Sequence, residues 1–270
     1  MCAEQACLAL RLFGPMQSWG TESRFNRRDT ALLPSKSALA GLICAALGAR
    51  RGSPQEAAAL RALQAMPLLV VAVPRFLPGH GGAQANAAGR GRPLIRRRLE
   101  DFHTVLGTKT AEGKKRADAV LTLRQYLQDA AFLALFSGPA SELGGMAAAL
   151  RNPVWGLWLG RKSCIPSRPV FGGLFPDEAT ALAELLPVPL AGCVYAREAG
   201  DFAQGTDSLP DQPLCFGMGR RAFAPRRVTF HEPEKEAEVD MWTALDGEEA
   251  EDAQGAEWTE KTQSRLAPEA

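Results

Sequence analysis

Ala6-Cys7-Leu8-Ala9-Leu10-Arg11-Leu12-Phe13 is a nearly unbroken apolar run, and Gly14-Pro15 ends it. A short apolar run bounded by turn formers reads as a central, buried strand. Outward from it, Pro34-Ser35-Lys36-Ser37 announces a helix. Leu39, Leu42, Ile43, Ala46 and Leu47 then fall on one helical face, and Gly48 is a natural C-cap. Ser53-Pro54-Gln55-Glu56 starts a second helix with a capping residue, a proline at the first position and a box-completing glutamate. That helix runs to about Ala65. Pro67 opens a strand, Leu68–Phe76. Ala130–Phe136 is another buried strand, Ser141 opens a helix to about Asn152, and Trp155–Leu159 reads as a short strand.

Over the first 160 residues the order is strand, helix, strand, insertion, strand, helix, strand. Without the insertion this is the split βαβ pattern of an α+β, ferredoxin-like domain. The insertion has its own character. Leu77–Pro93 is rich in glycine and proline and reads as a long loop. Arg90, Arg92, Arg96, Arg97 and Arg98 follow closely. Leu99–Leu106 and Ala119–Leu127 are placed to pair as a hairpin, and Lys109, Lys114, Lys115 and Arg116 lie between them. The composition is that of a projecting finger over about 77–118. Further on, 178–186 is helical, Leu190–Arg197 a strand, 200–213 loop-like and 214–230 one or two strands. These expectations divide the chain into a domain at 1–171, a small β-rich region at 172–231 and an acidic, disordered tail at 232–270.

The 270 residues are 46% apolar, enough for a sizeable core and too many for a wholly disordered chain. The net charge of +1 hides an asymmetry: residues 1–227 hold 28 Lys/Arg against 17 Asp/Glu, whereas 228–270 hold 3 against 13. A basic body attracts polyanions, of which nucleic acid is the usual one. Cys2, Cys7, Cys44, Cys164, Cys193 and Cys215 form no C-x-x-C pair, and His80, His103 and His231 stand in no ligand spacing with them, so no zinc site is expected. With no signal-peptide pattern at the N-terminus and no apolar run of about 18–20 residues, the expectation is a cytoplasmic protein without membrane contact.

Three stretches carry candidate chemistry. Gly160-Arg161-Lys162-Ser163 follows the expected short strand and offers two cations, backbone N–H groups and a hydroxyl to a phosphate, although it lacks the P-loop spacing; the bland reading is a solvated turn. Arg96-Arg97-Arg98, with Phe102 beyond, combines cations and an aromatic as RNA readers do; the alternative is an edge strand blunted by charge. His103, with Lys109, Lys114, Lys115 and Tyr126 nearby in sequence, is the one set that suggests metal-independent RNA cleavage, against a structural role for a lone histidine. No carboxylate cluster suits magnesium and no Ser/His/Asp set is evident.

Five ordered blocks over residues 8–171 resemble the CasD subunit family of the type I-E CRISPR Cascade complex. They are Leu10-Arg11-Leu12-Phe13-Gly14-Pro15-Met16-Gln17-Ser18-Trp19-Gly20, Pro34 to Leu42, Asp101-Phe102-His103-Thr104-Val105-Leu106-Gly107, Tyr126 to Phe132, and Leu159 to Cys164. Weaker similarity continues to about 231, and the tail and the 77–93 stretch depart from the pattern. The resemblance implies a modified ferredoxin-like (RRM-like) domain with a protruding β-hairpin thumb and a small C-terminal β region. It implies a subunit that holds the 5′ handle of the crRNA, contacts the CasC backbone and the large subunit CasA, and meets target DNA only through the complex. No cofactor, metal or catalytic residue is implied, although type I-C relatives cut repeat RNA. The candidate RNA-binding residues are Gln17, Trp19, Arg24, Arg27, Lys36, Arg96, Arg97, Arg98, His103, Lys109, Lys114, Lys115, Arg161, Lys162 and Ser163.

Overall fold

The apolar run that opens the chain forms strand β1, Gln5–Phe13. The computed structural model describes residues 4–21, 26–74, 97–201, 203–217 and 221–233, with Arg97 by its backbone alone. Arg24, Arg96, the stretch 77–93 and the acidic segment from 234 onward, each of which carried an expectation, lie outside those residues. The other elements, in chain order, are β2 (Met16–Gln17), β3 (Arg27–Arg28), α1 (Lys36–Leu47), α2 (Pro54–Ala65), β4 (Leu68–Ala72), β5 (Arg97–Val105), β6 (Val120–Gln128), β7 (Ala131–Pro139), α3 (Ala140–Arg151), β8 (Phe171–Phe175), α4 (Glu178–Leu185), β9 (Val194–Glu198), β10 (Asp207–Cys215) and β11 (Ala222–His231).

Seven strands form one sheet in the order β10-β11-β9-β4-β7-β1-β8. β1 pairs antiparallel with β7 and β8, and β4 antiparallel with β7 and β9. The alternation of side chains along a strand sends Leu8, Leu10 and Leu12 to one face and Cys7 and Ala9 to the other. The first set joins Phe132, Phe136 and the apolar faces of α1, α2 and α3 in the larger core. The second joins Leu69, Val71, Leu135 and Ala181 of α4. Both faces of β1 are covered, which is why its sequence is apolar throughout rather than alternating. β9, β11 and β10 extend the sheet beyond β4, so strands on either side of residue 171 share one sheet.

The helix signals act where the sequence places them. Ser35 caps α1 by accepting from the Ala38 amide, and Gly48, at φ 68°, ends it in the left-handed conformation. Ser53 accepts from the Glu56 amide at the start of α2, and the Glu56 carboxylate accepts from the Gly52 amide. α3 begins one residue before the expected Ser141, directly from the end of β7, and has no side-chain cap.

Two expectations fail. Trp155–Leu159 is not a strand. The amides of Val154 and Trp155 donate to the carbonyls of Ala46 and Ala45, so this segment satisfies the open C-terminal end of α1 instead of a sheet. The strand that follows α3 is β8, Phe171–Phe175. Conversely, 207–215 is a strand although the sequence reads as loop. β10 is the outermost strand, and its register with β11 shifts twice, around Pro210 and near Pro213. Proline is tolerated on an edge or at a bulge, and there it disguises a strand as a turn. Two boundaries also move: β4 ends at Ala72, and a short 3-10 turn, Leu190–Gly192, precedes β9.

A second, four-stranded sheet carries the inserted hairpin. β6 is its centre, with β5 along one side and the two-residue strands β2 and β3 on the other. The hairpin's second strand, β6, runs to Gln128, one residue past the expected Leu127. Tyr126 and Leu127 root it in the larger core, while residues 111–119 at the far end are all exposed. Asp129, in the left-handed region at φ 50°, turns the chain from this sheet into β7.

Candidate nucleic-acid interface

The segment after β1 is pinned by polar groups that burial forces to pair. The Gln17 side chain donates to the carbonyls of Leu12 and Ala130, each at 2.7 Å, and accepts from the Trp19 indole N–H at 3.1 Å. Gln17 and Trp19 are both buried. Every hydrogen-bonding group of these two side chains is used inside the protein, so the expectation that they touch RNA is corrected: they are the staple between β1, β2 and the start of β7. Lys36 is corrected likewise. It is fully buried, and its ammonium donates to both oxygens of Glu198 at 2.9 Å and to the Met66 carbonyl.

The Gly160 turn is docked on this staple. Leu159 accepts from the Ser18 amide at 3.0 Å, and a Cβ on Gly160 would stand 1.7 Å from the Ser18 carbonyl oxygen. With φ at +97° as well, only glycine fits this close approach. The turn closes through the Cys164 amide to the Arg161 carbonyl, which leaves Lys162 and Ser163 exposed at its tip. Arg161 reaches back over the small sheet. Its guanidinium lies 4.5 Å above the Tyr126 ring and donates to the carbonyls of Gln125 and Arg28, at 2.9 and 3.0 Å. A cation over an aromatic face is held by the ring quadrupole without being neutralised.

Around Arg161 the sheet register gathers more charge. Arg28 stands beside Arg124 across the parallel β3–β6 pair, and the Arg124 Nε donates to the Thr122 hydroxyl. Among the described residues no carboxylate pairs with Arg28, Arg124, Arg161 or Lys162. Asp101 stands opposite Arg124 in the β5–β6 register but makes no ion pair with it, and the surplus of positive charge raises the local potential and favours an anion there. Arg28 and Arg124 were not among the expected site residues, and Tyr126 entered only beside His103 in the cleavage alternative. The signal for two of them was present, since Arg124 and Tyr126 are two apart on one strand and therefore share a face.

The hairpin sorts the remaining candidates. Residues opposite one another in the β5–β6 register share a face, which puts Arg98, Glu100, Phe102 and Thr104 with Leu127, Gln125, Leu123 and Leu121. Phe102 is 63% exposed and Arg98 is exposed too, a cation and an aromatic on one face. His103 is on the opposite face, half-exposed, with its Nδ1 3.8 Å from the Asp101 carboxylate. Lys109, Lys114 and Lys115 are exposed beyond the strands, Lys109 bridging Lys115. Arg27 is exposed and paired with Asp29 at 3.2 Å. Arg24, Arg96 and the Arg97 side chain lie outside the described residues. Among the described residues no group of three His, Cys, Asp or Glu is placed to hold a metal ion, and no helix is long and apolar enough to cross a membrane.

Comparison with known proteins places this architecture. Residues 7–229 match the model of a family described as CRISPR-associated protein (Cas_Cas5). The CRISPR system Cascade subunit CasD of Escherichia coli (strain K12) is 31% identical over 196 residues, covering 71% of this chain and 81% of that one. A chain of a solved CRISPR RNA-guided surveillance complex superposes with a TM-score of 0.62 at 28% identity, over 89% of this chain and 99% of that one. A solved crystal structure of a Cas protein gives a TM-score of 0.54 at 31% identity, over 83% and 93% of the two chains.

Proposed function

The chain belongs to the CRISPR-associated protein (Cas_Cas5) family, and on that premise we propose that it is a non-catalytic RNA-binding subunit of a Cascade surveillance complex. In this reading it holds the 5′ handle of the crRNA and caps one end of a CasC backbone. It stands next to CasA and meets target DNA only through the assembly. We read β4-β7-β1-β8 with α1, α2 and α3 as the ferredoxin-like arrangement, spanning residues 1–171 and the strand that follows, and the β5–β6 hairpin as its thumb. Residues 172–231 otherwise supply a β-rich extension of the sheet.

The observation that carries the reading is the seam of Arg28, Arg124, Arg161 and Lys162, four cations without carboxylate partners among the described residues on a rigid sheet. Phosphate oxygens supply the missing charge, and a guanidinium presents them with paired N–H donors. Exposed Phe102 and Arg98 on the hairpin suit a splayed base, because stacking tolerates any base while cations hold the backbone. Arg161 acts here as a positioning residue as well as a charge, since two of its donors are spent on the β3 and β6 carbonyls.

The test is filter binding of the assembled complex with crRNA of altered 5′ sequence, across a salt series. The expected result is weaker binding of altered handles and a steep loss with salt, because phosphate contacts release counter-ions. Equal affinity for any 5′ sequence overturns handle recognition. Incubating the pure chain with labelled repeat RNA in EDTA examines the cleavage alternative: a discrete product that disappears in His103→Ala would make it an endoribonuclease instead.

A further inference from the structure

Beyond the RNA-facing seam lies a groove of about 430 Å³ at the end of α3. It is lined by Leu150, Pro153, Leu157, Pro166, Pro169 and Val170 together with Ser167, Arg151 and Arg168, and both arginines are exposed. Nearby in the chain, Val154, Trp155, Trp158 and Ile165 are 65%, 43%, 39% and 60% exposed. Four large apolar side chains left in water within twelve residues are unusual for a surface that stays bare, and tryptophan is enriched where interfaces concentrate their energy.

The groove is preformed. Val154 and Trp155 are tied to α1 by their amides, Arg11 donates its amide to Val170, and Ser167 donates its amide to Phe13 at 2.8 Å. Its walls therefore need little ordering when something binds.

Charge selects the occupant. From Leu143 to Pro176 the sequence contains Arg151, Arg161, Lys162 and Arg168 and no aspartate or glutamate. The Arg151 guanidinium is steadied 4.4 Å over the Phe171 ring, and neither it nor Arg168 meets a carboxylate among the described residues. Three of the lining residues are prolines, which have no N–H to offer a phosphate. A lining that is mostly apolar, with two exposed arginines, suits a protein side chain and an adjoining carboxylate better than a nucleic-acid backbone.

We propose that this groove docks a short acidic segment of a neighbouring protein subunit, which seats an apolar side chain on the Leu150–Val170 lining and a carboxylate between Arg151 and Arg168. The proposal rests on the reading of the chain as one subunit of a larger complex and adds to it the surface and chemistry of one protein contact. The experiment introduces a photo-crosslinking benzoylphenylalanine at Ile165, and separately at Trp155, of the full chain within the assembled complex. Adducts are identified by mass spectrometry. The expected product joins either position to a peptide of another protein with Asp or Glu beside the linked residue. The Arg151→Glu, Arg168→Glu double variant should weaken retention of that protein about tenfold or more while RNA retention holds, and reversing the partner's acid to arginine should restore it. Adducts to RNA alone, to a second copy of this chain or to its own acidic C-terminal segment overturn the proposal, as does the absence of any adduct. If the unmodified chain assembles with RNA and other subunits, such a result sinks the groove alone. If it assembles with nothing, the complex-subunit reading fails first and the groove with it.

Discussion

The two ends of this molecule treat their cations in opposite ways. In the sheet extension, Lys36 is bound to Glu198, and Arg226 meets both Asp211 at 2.6 Å and Glu198 at 3.6 Å. Arg197 is paired in two places with Glu178. Around the small sheet, Arg28, Arg124 and Arg161 are near carbonyls, a hydroxyl and an aromatic ring, and Lys162 and Arg98 face solvent. The Arg197–Glu178 pair is partly exposed, whereas Lys36, Arg226, Glu198 and Asp211 form a buried network in which each charge is neutralised within the fold. Such a network depends on all its members, since removing one leaves its partner charged and unsolvated. Around the small sheet those cations have no carboxylate partner among the described residues. Burial holds the Lys36 ammonium below the ordinary lysine range even though Glu198 opposes it, which marks how costly that site is to keep charged. The difference separates cations neutralised inside the protein from cations that the described residues leave unpaired with any carboxylate.

The largest effect expected is at the buried end. Lys36→Met should cost about 3 kcal/mol or more of unfolding free energy, read from urea titration, because Glu198 loses its ammonium partner and keeps only the longer Arg226 contact and the Leu68 amide. RNA affinity per folded molecule should not change, and a selective loss of RNA binding without a stability loss would erase the distinction drawn between the two ends. Gln17→Met should cost about 2–3 kcal/mol, since two carbonyls and an indole N–H lose their partner, again with the salt dependence of RNA binding intact. On the other side, replacing Arg98, Lys114 and Lys115 with alanine should shift stability by less than about 0.5 kcal/mol. It should lower the salt slope of RNA binding by roughly 0.7 for each phosphate that is no longer neutralised. An unchanged slope would make these charges a solvated face. Phe102→Ala should weaken RNA binding by about 1 kcal/mol if a base stacks there, with an unchanged melting temperature.

The smallest effect concerns the thiols. Burial pushes Cys7 up to about 12 and Cys44 up to about 11 from an ordinary 9.0. The native state therefore keeps protons that the unfolded chain releases above about pH 9, and their contribution to stability falls as pH rises from there. Lys36, with its pKa lowered, contributes a slope of the opposite sign below the ordinary lysine value. The thiol share is accordingly read as the difference between the native chain and a Cys7→Ala, Cys44→Ala variant over pH 8–11. No difference would mean the two thiols titrate alike in both states.

Local chemistry was legible wherever a residue acts on its own neighbours. Ser35 and Gly48 bound α1, Ser53 and Pro54 start α2, and the continuous apolar run at 6–13 becomes a strand covered on both faces. The hairpin followed from two alternating segments with a charged, polar interval. Reading failed where a distant partner decides. Trp155–Leu159 has the composition of a strand, but the first amides of this apolar segment are claimed by the end of α1, more than a hundred residues away. Asp207–Cys215 has the composition of a turn and is a strand because an edge position spares its prolines a missing hydrogen bond.

The site divides along the same line. The sequence by itself determined that the body is basic, that two alternating segments bearing Phe102 pair as a hairpin with lysines between them, and that Gly160-Arg161-Lys162-Ser163 forms a turn, because composition and short-range spacing are enough for each. Only the tertiary structure decided which polar residues are available to a ligand. Gln17, Trp19 and Lys36 look like binding residues in one dimension and are buried in three, with partners as far away as Ala130 and Glu198. Arg28 and Arg124 pass unnoticed in the chain and become neighbours only when β3 is laid against β6. Burial and charge pairing are properties of groups brought together across the sequence, and the energy of a charge depends on what stands beside it in space.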